Sequence, residues 1–339
     1  MTKILSQINK VSERGKKIAP YFLDKLETTS HYFQNKSHES QYHKGIAKYQ
    51  QNAKLSRLID VKKTDFDYWK KQYQKTYFCN HVLLQDNGKL TGSLCRKRWC
   101  KHCNRIKTAE LINGYLKPLE ALSNDDKLYF VTLTAPTVKA RELKSEIRKR
   151  LKAFTRIKNN LQQNYKIKLN GYRKIEVTYN ESEDRYHPHM HLIVQGYSES
   201  KQLLDLWLKQ FDKASVKAQD IREITINDDS KESLKELFKY ATKGSVKDSS
   251  EATAEHTIHR ALQGTRIYQP YGKVRKVKQP KEATSETTQA NWLDEAQEIW
   301  VYEQNQKDWV NASNRTLVGT LEIDKLIYLN HKTKSHAKD

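Results

Sequence analysis

The stretch RYHPHMHLIV, residues 185–194, constrains the fold more than any other segment. His187, His189 and His191 occupy every second position, with Met190, Leu192 and Val194 out of step with them. A period of two is that of a β-strand, whose alternate side chains share one face. The spacing predicts a strand with three imidazoles on one face and an apolar core face behind. Alternate positions on a strand stand ~6–7 Å apart, so neighbouring imidazoles can converge on one divalent ion. The plain alternative is a polar sheet face that merely contains histidines; three in register against a clean apolar face argue against it. Pro188 has no N–H to donate, so the strand is expected to be an edge at its start or to begin after the proline.

A partner for this strand lies just upstream. GYRKIEVTYN, residues 171–180, puts Ile175, Val177 and Tyr179 on one face, and Lys174, Glu176 and Thr178 on the other. Folded as a hairpin across the seven-residue turn NESEDRY, the pair brings Glu176 near His189 or His191. One carboxylate with two imidazoles suits Mn²⁺ or Mg²⁺ in a site open to substrate. Glu176 could instead be a surface partner of Lys174 or Arg173.

The remaining periodicities place these strands in an α+β chain. LYFVTLTAPT (128–137) and DIREITIN (220–227) are expected as strands. Helices are expected over 105–122, 139–164 (Leu143, Ile147, Leu151 and Phe154 at helical spacing), 200–213 and 230–243, and in the acidic stretch 289–309. The expected organisation is a basic, mostly helical region 1–75, a cysteine-bearing module with a helix over 76–122, a catalytic domain over 123–249, and a basic then helical region over 250–339.

The helix in DDSKESLKELFKYATKG (228–244) has two distinct faces. Leu234, Leu237, Phe238 and Ala241 follow i, i+3, i+4, i+7 and form a buried stripe. Glu236, Tyr240, Lys243 and Lys247 cluster opposite it. A phenol with a pKa near ~10 is a poor nucleophile alone. A polarised phosphate and a nearby Lys that favours phenolate would activate it. A solvated helix face carrying an ion pair is the alternative.

All four cysteines fall within 25 residues: Cys79, then CRKRWCKHC with Cys95, Cys100 and Cys103. That count and proximity fit a Cys₄ structural Zn²⁺ site, with His81 or His102 able to replace one sulfur. Such a knuckle would present Arg96, Lys97, Arg98, Lys101 and Arg105 as a rigid phosphate-contacting surface. Trp99 is expected in the core or stacked on an unpaired base.

Charge agrees with a polyanionic partner. Lys and Arg number 62 against 40 Asp and Glu, a net +22, which favours nucleic acid through Coulomb steering and counterion release. No apolar run approaches ~20 residues, and MTKILSQINKVSERGKK lacks the apolar core of a secretory signal. A cytoplasmic protein with no membrane partner and reduced thiols is expected.

Taken in order, FVTLTAPT, HPHMHLIV and ELFKYATK resemble the three motifs of HUH endonucleases, and within them the single-tyrosine initiators of rolling-circle plasmid replication. The resemblance spans roughly residues 79–275, including the cysteine cluster and the closing ALQGTRIYQPYGKVR segment. It implies a five-stranded antiparallel sheet with flanking helices. It also implies that His189 and His191 bind the catalytic ion with Glu176 as third ligand, while His187 fits the family pattern and could orient a ligand. It implies that Tyr240 attacks a phosphodiester at the double-strand origin, leaving a 5′-phosphotyrosine and a 3′-OH primer. Glu236, one turn earlier, matches the residue that activates water for terminating cleavage in that group. Origin DNA, duplex and single-stranded, and a host helicase with the replication machinery are the implied partners. A transposase of the same chemistry and a non-catalytic zinc-containing DNA-binding regulator are the alternatives.

Overall fold

In chain order the elements are α1 (Lys36–Ile59), α2 (Phe66–Tyr77), β1 (Val82–Asp86), β2 (Lys89–Gly92), α3 (Lys101–Asp125), β3 (Leu128–Leu133), α4 (Leu143–Asn164), β4 (Gly171–Asn180), β5 (Arg185–Gln195), α5 (Tyr197–Gln210), β6 (Asp220–Ile224), α6 (Ser249–Ala261), β7 (Tyr268–Tyr271), β8 (Glu298–Glu303) and β9 (Asp308–Asn311). These come from a computed structural model that describes residues 36–61, 66–86, 89–226, 238, 249–277 and 298–318. The chain divides into two units, 1–103 with 281–339, and 104–280.

The second unit is built on an antiparallel five-stranded sheet in the order β6-β3-β5-β4-β7. The fold class is the α+β arrangement implied by the motifs. Alternation gives the sheet two dissimilar faces. On one, Leu128, Phe130, Tyr172 and Ile193 pack against Leu111, Tyr115, Leu119 and Leu122 of α3, together with Phe238 and Val274. On the other, Val131, Leu133, Ile175, Val177, Met190, Leu192 and Val194 are buried, where α4 and α5 pack on β3 and β5. α4 buries Leu143, Ile147, Arg150, Ala153, Phe154, Ile157 and Leu161 along one stripe, the spacing of an amphipathic helix. Each of its large apolar side chains contributes about 1.5–3 kcal/mol by leaving water. Trp207 of α5 is fully buried, and its indole N–H donates to the Thr134 carbonyl at 2.7 Å.

The first unit holds a smaller antiparallel sheet, β2-β1-β8-β9. Its core is Leu83, Trp300, Tyr302, Trp309 and Val318. Two donors tie distant segments together. Tyr302 Oη donates to the Gly45 carbonyl at 2.8 Å, and the Trp309 indole to the Asn80 carbonyl at 2.7 Å.

Several expectations change. Of the helix expected over 289–309, residues 289–297 lie outside the described residues, and 298–309 belong instead to the β8–β9 hairpin, because Trp300 and Tyr302 alternate with less buried neighbours at a period of two. β5 begins at Arg185, before Pro188, and lies in the sheet interior. The proline is tolerated because the β3 ladder stops at Met190 and resumes only as the Val138–Tyr186 bridge, so no bond is demanded of its nitrogen on that side. The β4–β5 turn is four residues, 181–184, rather than seven. The strand expected over 128–137 ends at Leu133, and α6 occupies a polar stretch for which no element was expected.

Candidate functional site

The β4–β5 register sets Glu176 opposite His189, Lys174 opposite His191 and Thr178 opposite His187. All six share the sheet face that carries Tyr172 and Ile193. The ligand atoms of Glu176, His189 and His191 lie within 4.8 Å of one another. Metal bonds of ~2.1 Å separate two ligands of one ion by at most ~4.2 Å, so small side-chain rotations close this set on a cation. His191 Nε2 is 3.5 Å from Glu176 Oε2.

Both imidazoles are held from behind. His191 Nδ1 is 3.3 Å from Thr132 Oγ1 on β3, and His189 Nδ1 is 3.0 Å from the His187 carbonyl. Fixing Nδ1 turns Nε2 into the ligand atom and fixes the ring plane. Thr132 was not foreseen; its signal was a small polar residue alternating with apolar ones in FVTLT, facing the histidines.

Glu176 is 2% exposed and Lys174 1%, with Lys174 Nζ 2.8 Å from Glu176 Oε2. Lys174 is therefore a partner of Glu176, but inside the protein. The ammonium does not approach along a hydrogen-bond direction, and Oε2 has no aligned donor. A buried carboxylate oxygen with unused acceptor capacity, beside two oriented imidazoles, fits a hard divalent cation.

His187 stands beside the ligand set rather than in it. Its ring stacks on His189 at 5.1 Å between centroids. Burial first, then His189 and the Arg150 guanidinium, push its imidazole down to about 4. It is neutral near pH 7 and suited to orienting its neighbour.

Glu236, Tyr240, Lys243 and Lys247 lie outside the described residues. Phe238 is described and fully buried, in agreement with the apolar stripe read from the sequence. Its ring is 4.9 Å from Tyr172 and 6.0 Å from Tyr115, and its carbonyl accepts from Thr108 Oγ1 and Tyr268 Oη, both at 3.0 Å. It belongs to the sheet face that carries His189 and His191.

In the other unit, Cys79, Cys95, Cys100 and Cys103 bring their sulfurs within 4.8 Å of one another. Cys103 Sγ is 3.5 Å from Cys79 Sγ and 3.7 Å from Cys95 Sγ. Sulfurs on one tetrahedral zinc, with bonds of ~2.3 Å, stand ~3.8 Å apart, whereas a disulfide needs ~2.05 Å. Backbone N–H groups of Cys95, Arg96, Lys97 and Cys103 point at these sulfurs at 3.2–3.5 Å. Sulfur–sulfur hydrogen bonding pushes the Cys95 and Cys100 thiols down and those of Cys79 and Cys103 up; the thiolate is the form that binds metal. Lys48 donates to the Cys79 carbonyl at 2.6 Å; burial pushes its ammonium down to about 8, and the sulfurs, led by Cys79, oppose that shift.

The two histidines weighed as substitute ligands do other things. His102 Nε2 is 2.7 Å from Asn80 Nδ2. His81 lies buried against Phe78 and Tyr302, and burial first, then Lys48, push it down to about 3. Trp99 packs on Trp69 and Tyr73 at 5.6 Å and donates to Thr76 Oγ1, a core role rather than an exposed stacking platform. Arg96, Arg98 and Lys101 are exposed and Lys97 half-buried around the cluster; Arg105, also exposed, lies in the second unit.

Comparison with known proteins bears on both units. Residues 89–317 match a family model described as "Replication protein" (Rep_1). The chain is 28% identical over 181 residues to "Protein rep" of Staphylococcus aureus, covering 50% of this chain and 77% of that protein. It is 27% identical over 180 residues to "Protein rep" of a Bacillus species, covering 46% and 56%. It is 27% identical over 154 residues to "Protein rep" of Streptococcus pneumoniae serotype 2, covering 41% and 45%, so these last two are spanned over about half their length. No solved structure matches significantly. The family match covers most of the chain and includes the cysteine cluster from Cys95 onward, the histidine strand and the Tyr240 segment. The chain belongs to this family of replication proteins, that of the plasmid rolling-circle initiators its motifs resemble.

Proposed function

We propose that the protein initiates rolling-circle plasmid replication by nicking one strand at the double-strand origin and retaining the 5′ end. The observation that carries this reading is one sheet face. It holds His189, His191 and Glu176 together, and it buries Phe238, two residues before Tyr240. Two residues of chain span at most ~7 Å, which bounds how far the Tyr240 backbone can lie from that of Phe238.

In this mechanism His189, His191 and Glu176 hold Mn²⁺ or Mg²⁺, and His187 steadies His189. A divalent ion held there supplies Lewis-acid polarisation of the scissile phosphate. The Tyr240 hydroxyl oxygen forms the new bond to phosphorus as the bond to the 3′ oxygen breaks. The phenolic proton leaves to solvent, helped by Lys243, and the departing oxygen takes up a proton as the primer hydroxyl. One phosphoester replaces another, so the reaction is reversible and the strand can be resealed. Glu236 serves as base for the water that ends the cycle. The four cysteines hold a structural Zn²⁺ and set Arg96, Lys97, Arg98 and Lys101 toward phosphates, while Arg105, in the second unit, contacts phosphate separately. A host helicase opens the duplex ahead of the primer.

The test is cleavage of supercoiled DNA bearing the cognate origin, with Mn²⁺, by wild type and Tyr240→Phe. Open circles and an SDS-stable protein–DNA adduct are expected from wild type only. Normal nicking by the Phe variant would remove Tyr240 as nucleophile. No nicking by either protein, on origin or single-stranded DNA with any divalent metal, would leave a non-catalytic DNA-binding regulator as the better reading.

A further inference from the structure

On α4, the helix behind the sheet, Lys144, Arg148, Lys152 and Arg156 recur at i, i+4, i+8 and i+12, and all four are exposed. Like charges one turn apart repel and weaken a helix, so a purely structural helix would intersperse acids along that row. Here the helix's own Glu146 is engaged elsewhere, with Lys149 at 3.6 Å and Arg150 at 3.1 Å. Among the described residues, none of the four cations makes an ion pair or a side-chain hydrogen bond. The row runs ~18 Å along the helix, a length over which duplex DNA carries about ten phosphate charges.

We infer that this row is a second DNA-contact surface, binding the phosphate backbone of duplex without regard to sequence. It lies on the sheet face opposite His189 and His191, so it is separate from the chemistry. Its role is to hold duplex flanking the nick. An acidic protein partner is the weaker fit. Protein interfaces rest on large apolar or aromatic anchors, and none of the exposed large hydrophobic residues among those described lies on α4. Backbone contacts to DNA need only the cations. The inference rests on the reading of the protein as a DNA-nicking initiator and adds a surface to it.

The experiment replaces all four with glutamine, a good helix former, in the full-length protein. Binding to a random-sequence duplex is followed by fluorescence anisotropy across 50–200 mM salt. Cleavage of a short single-stranded origin oligonucleotide by the same preparations is the control. Each lost phosphate contact removes ~0.9 from the slope of log K against log salt, so the four remove ~3.6. Over that fourfold change in salt, wild type then loses roughly 150-fold more affinity than the variant. Single-strand cleavage is expected to be unchanged. An unchanged salt slope overturns the inference while leaving the nicking reading intact. Absence of single-strand cleavage by wild type counts against the nicking reading, and the salt slope still decides this one. If the fourfold variant does not fold, Arg148→Gln/Lys152→Gln is expected to show half the change in slope, and an unchanged slope there is equally decisive.

Discussion

Replacing Lys174 with methionine keeps most of the side-chain volume and deletes one charge. In the metal-free protein it leaves the Glu176 carboxylate, 2% exposed, without the ammonium that stands 2.8 Å from it. Removing one partner of a buried ion pair costs about 3–5 kcal/mol, because the survivor is a buried charge with nothing to offset it. For a unit the size of residues 104–280, each kcal/mol shifts Tm by about 2–4 °C, so the metal-free variant is expected to melt roughly 6–20 °C below wild type. Mn²⁺ should then stabilise the variant more than wild type, since the uncompensated carboxylate favours a bound cation. The assay is calorimetric melting with EDTA or with excess Mn²⁺, on wild type, Lys174→Met, Glu176→Gln and the double variant. Removing both charges should cost less than removing Lys174 alone, giving a positive coupling in the double-mutant cycle. A Met variant that melts within ~2 °C of wild type in EDTA, or a double variant as unstable as the sum of the singles, would refute the argument that this pair is energetically coupled.

Cys100→Ser removes one of four sulfurs and should abolish stoichiometric zinc, read by metal analysis of the purified protein and by loss of a chelator-sensitive melting step; zinc retained at wild-type stoichiometry would show that the cluster is not the site. Phe238→Ala empties a fully buried position between Tyr115 and Tyr172 and should cost about 3–5 kcal/mol. It should also slow cleavage beyond any loss of folded protein, because the anchor two residues from Tyr240 is gone; a variant destabilised as expected but fully active per folded molecule would detach Phe238 from nucleophile placement.

The histidine strand and its partner were legible because a period of two admits one interpretation, and because a hairpin leaves few registers for Glu176. The apolar stripe of 234–241 gave Phe238 its buried position for a similar reason. What was hidden was long-range. β8 pairs with β1 across more than two hundred residues, and nothing local in EIWVYE says which edge it joins. The burial of Lys174 and Glu176 was hidden too. Charged residues alternating in a strand suggest a wet face. On the same face α3 and Phe238, distant in sequence, pack Leu111, Tyr115 and Leu119 against Tyr172 and Ile193, two residues from Lys174 and His191. Lys174 was consequently read as a possible surface partner of Glu176, when its position makes it part of the site.

The ligand set depends on register more than on any loop. A slip of one residue between β4 and β5 would turn Ile175 and Val177 toward the histidines and bury Glu176 among apolar side chains. The fold resists that slip at both ends of the hairpin. At the turn, Asn180 Oδ1 accepts from the Ser182 N–H at 3.1 Å, and Tyr179 Oη donates to Asp184 at 2.8 Å. At the open end, Gly171 lies so close to the Ile193 carbonyl that a Cβ at this position would overlap its oxygen. The same carbonyl accepts from Tyr271 Oη at 2.7 Å, which joins β7 to the arrangement. Between these pins β5 is bonded on both sides, by β3 and β4. The apolar residues behind the histidines are buried to within a few per cent. The energy that forms the core thus also holds in register the strands that carry His189, His191 and Glu176. For the proposed nicking reaction, a face held this way would need little reorganisation as charge develops on a phosphate, and avoiding that reorganisation is a large part of how enzymes lower barriers to transfer.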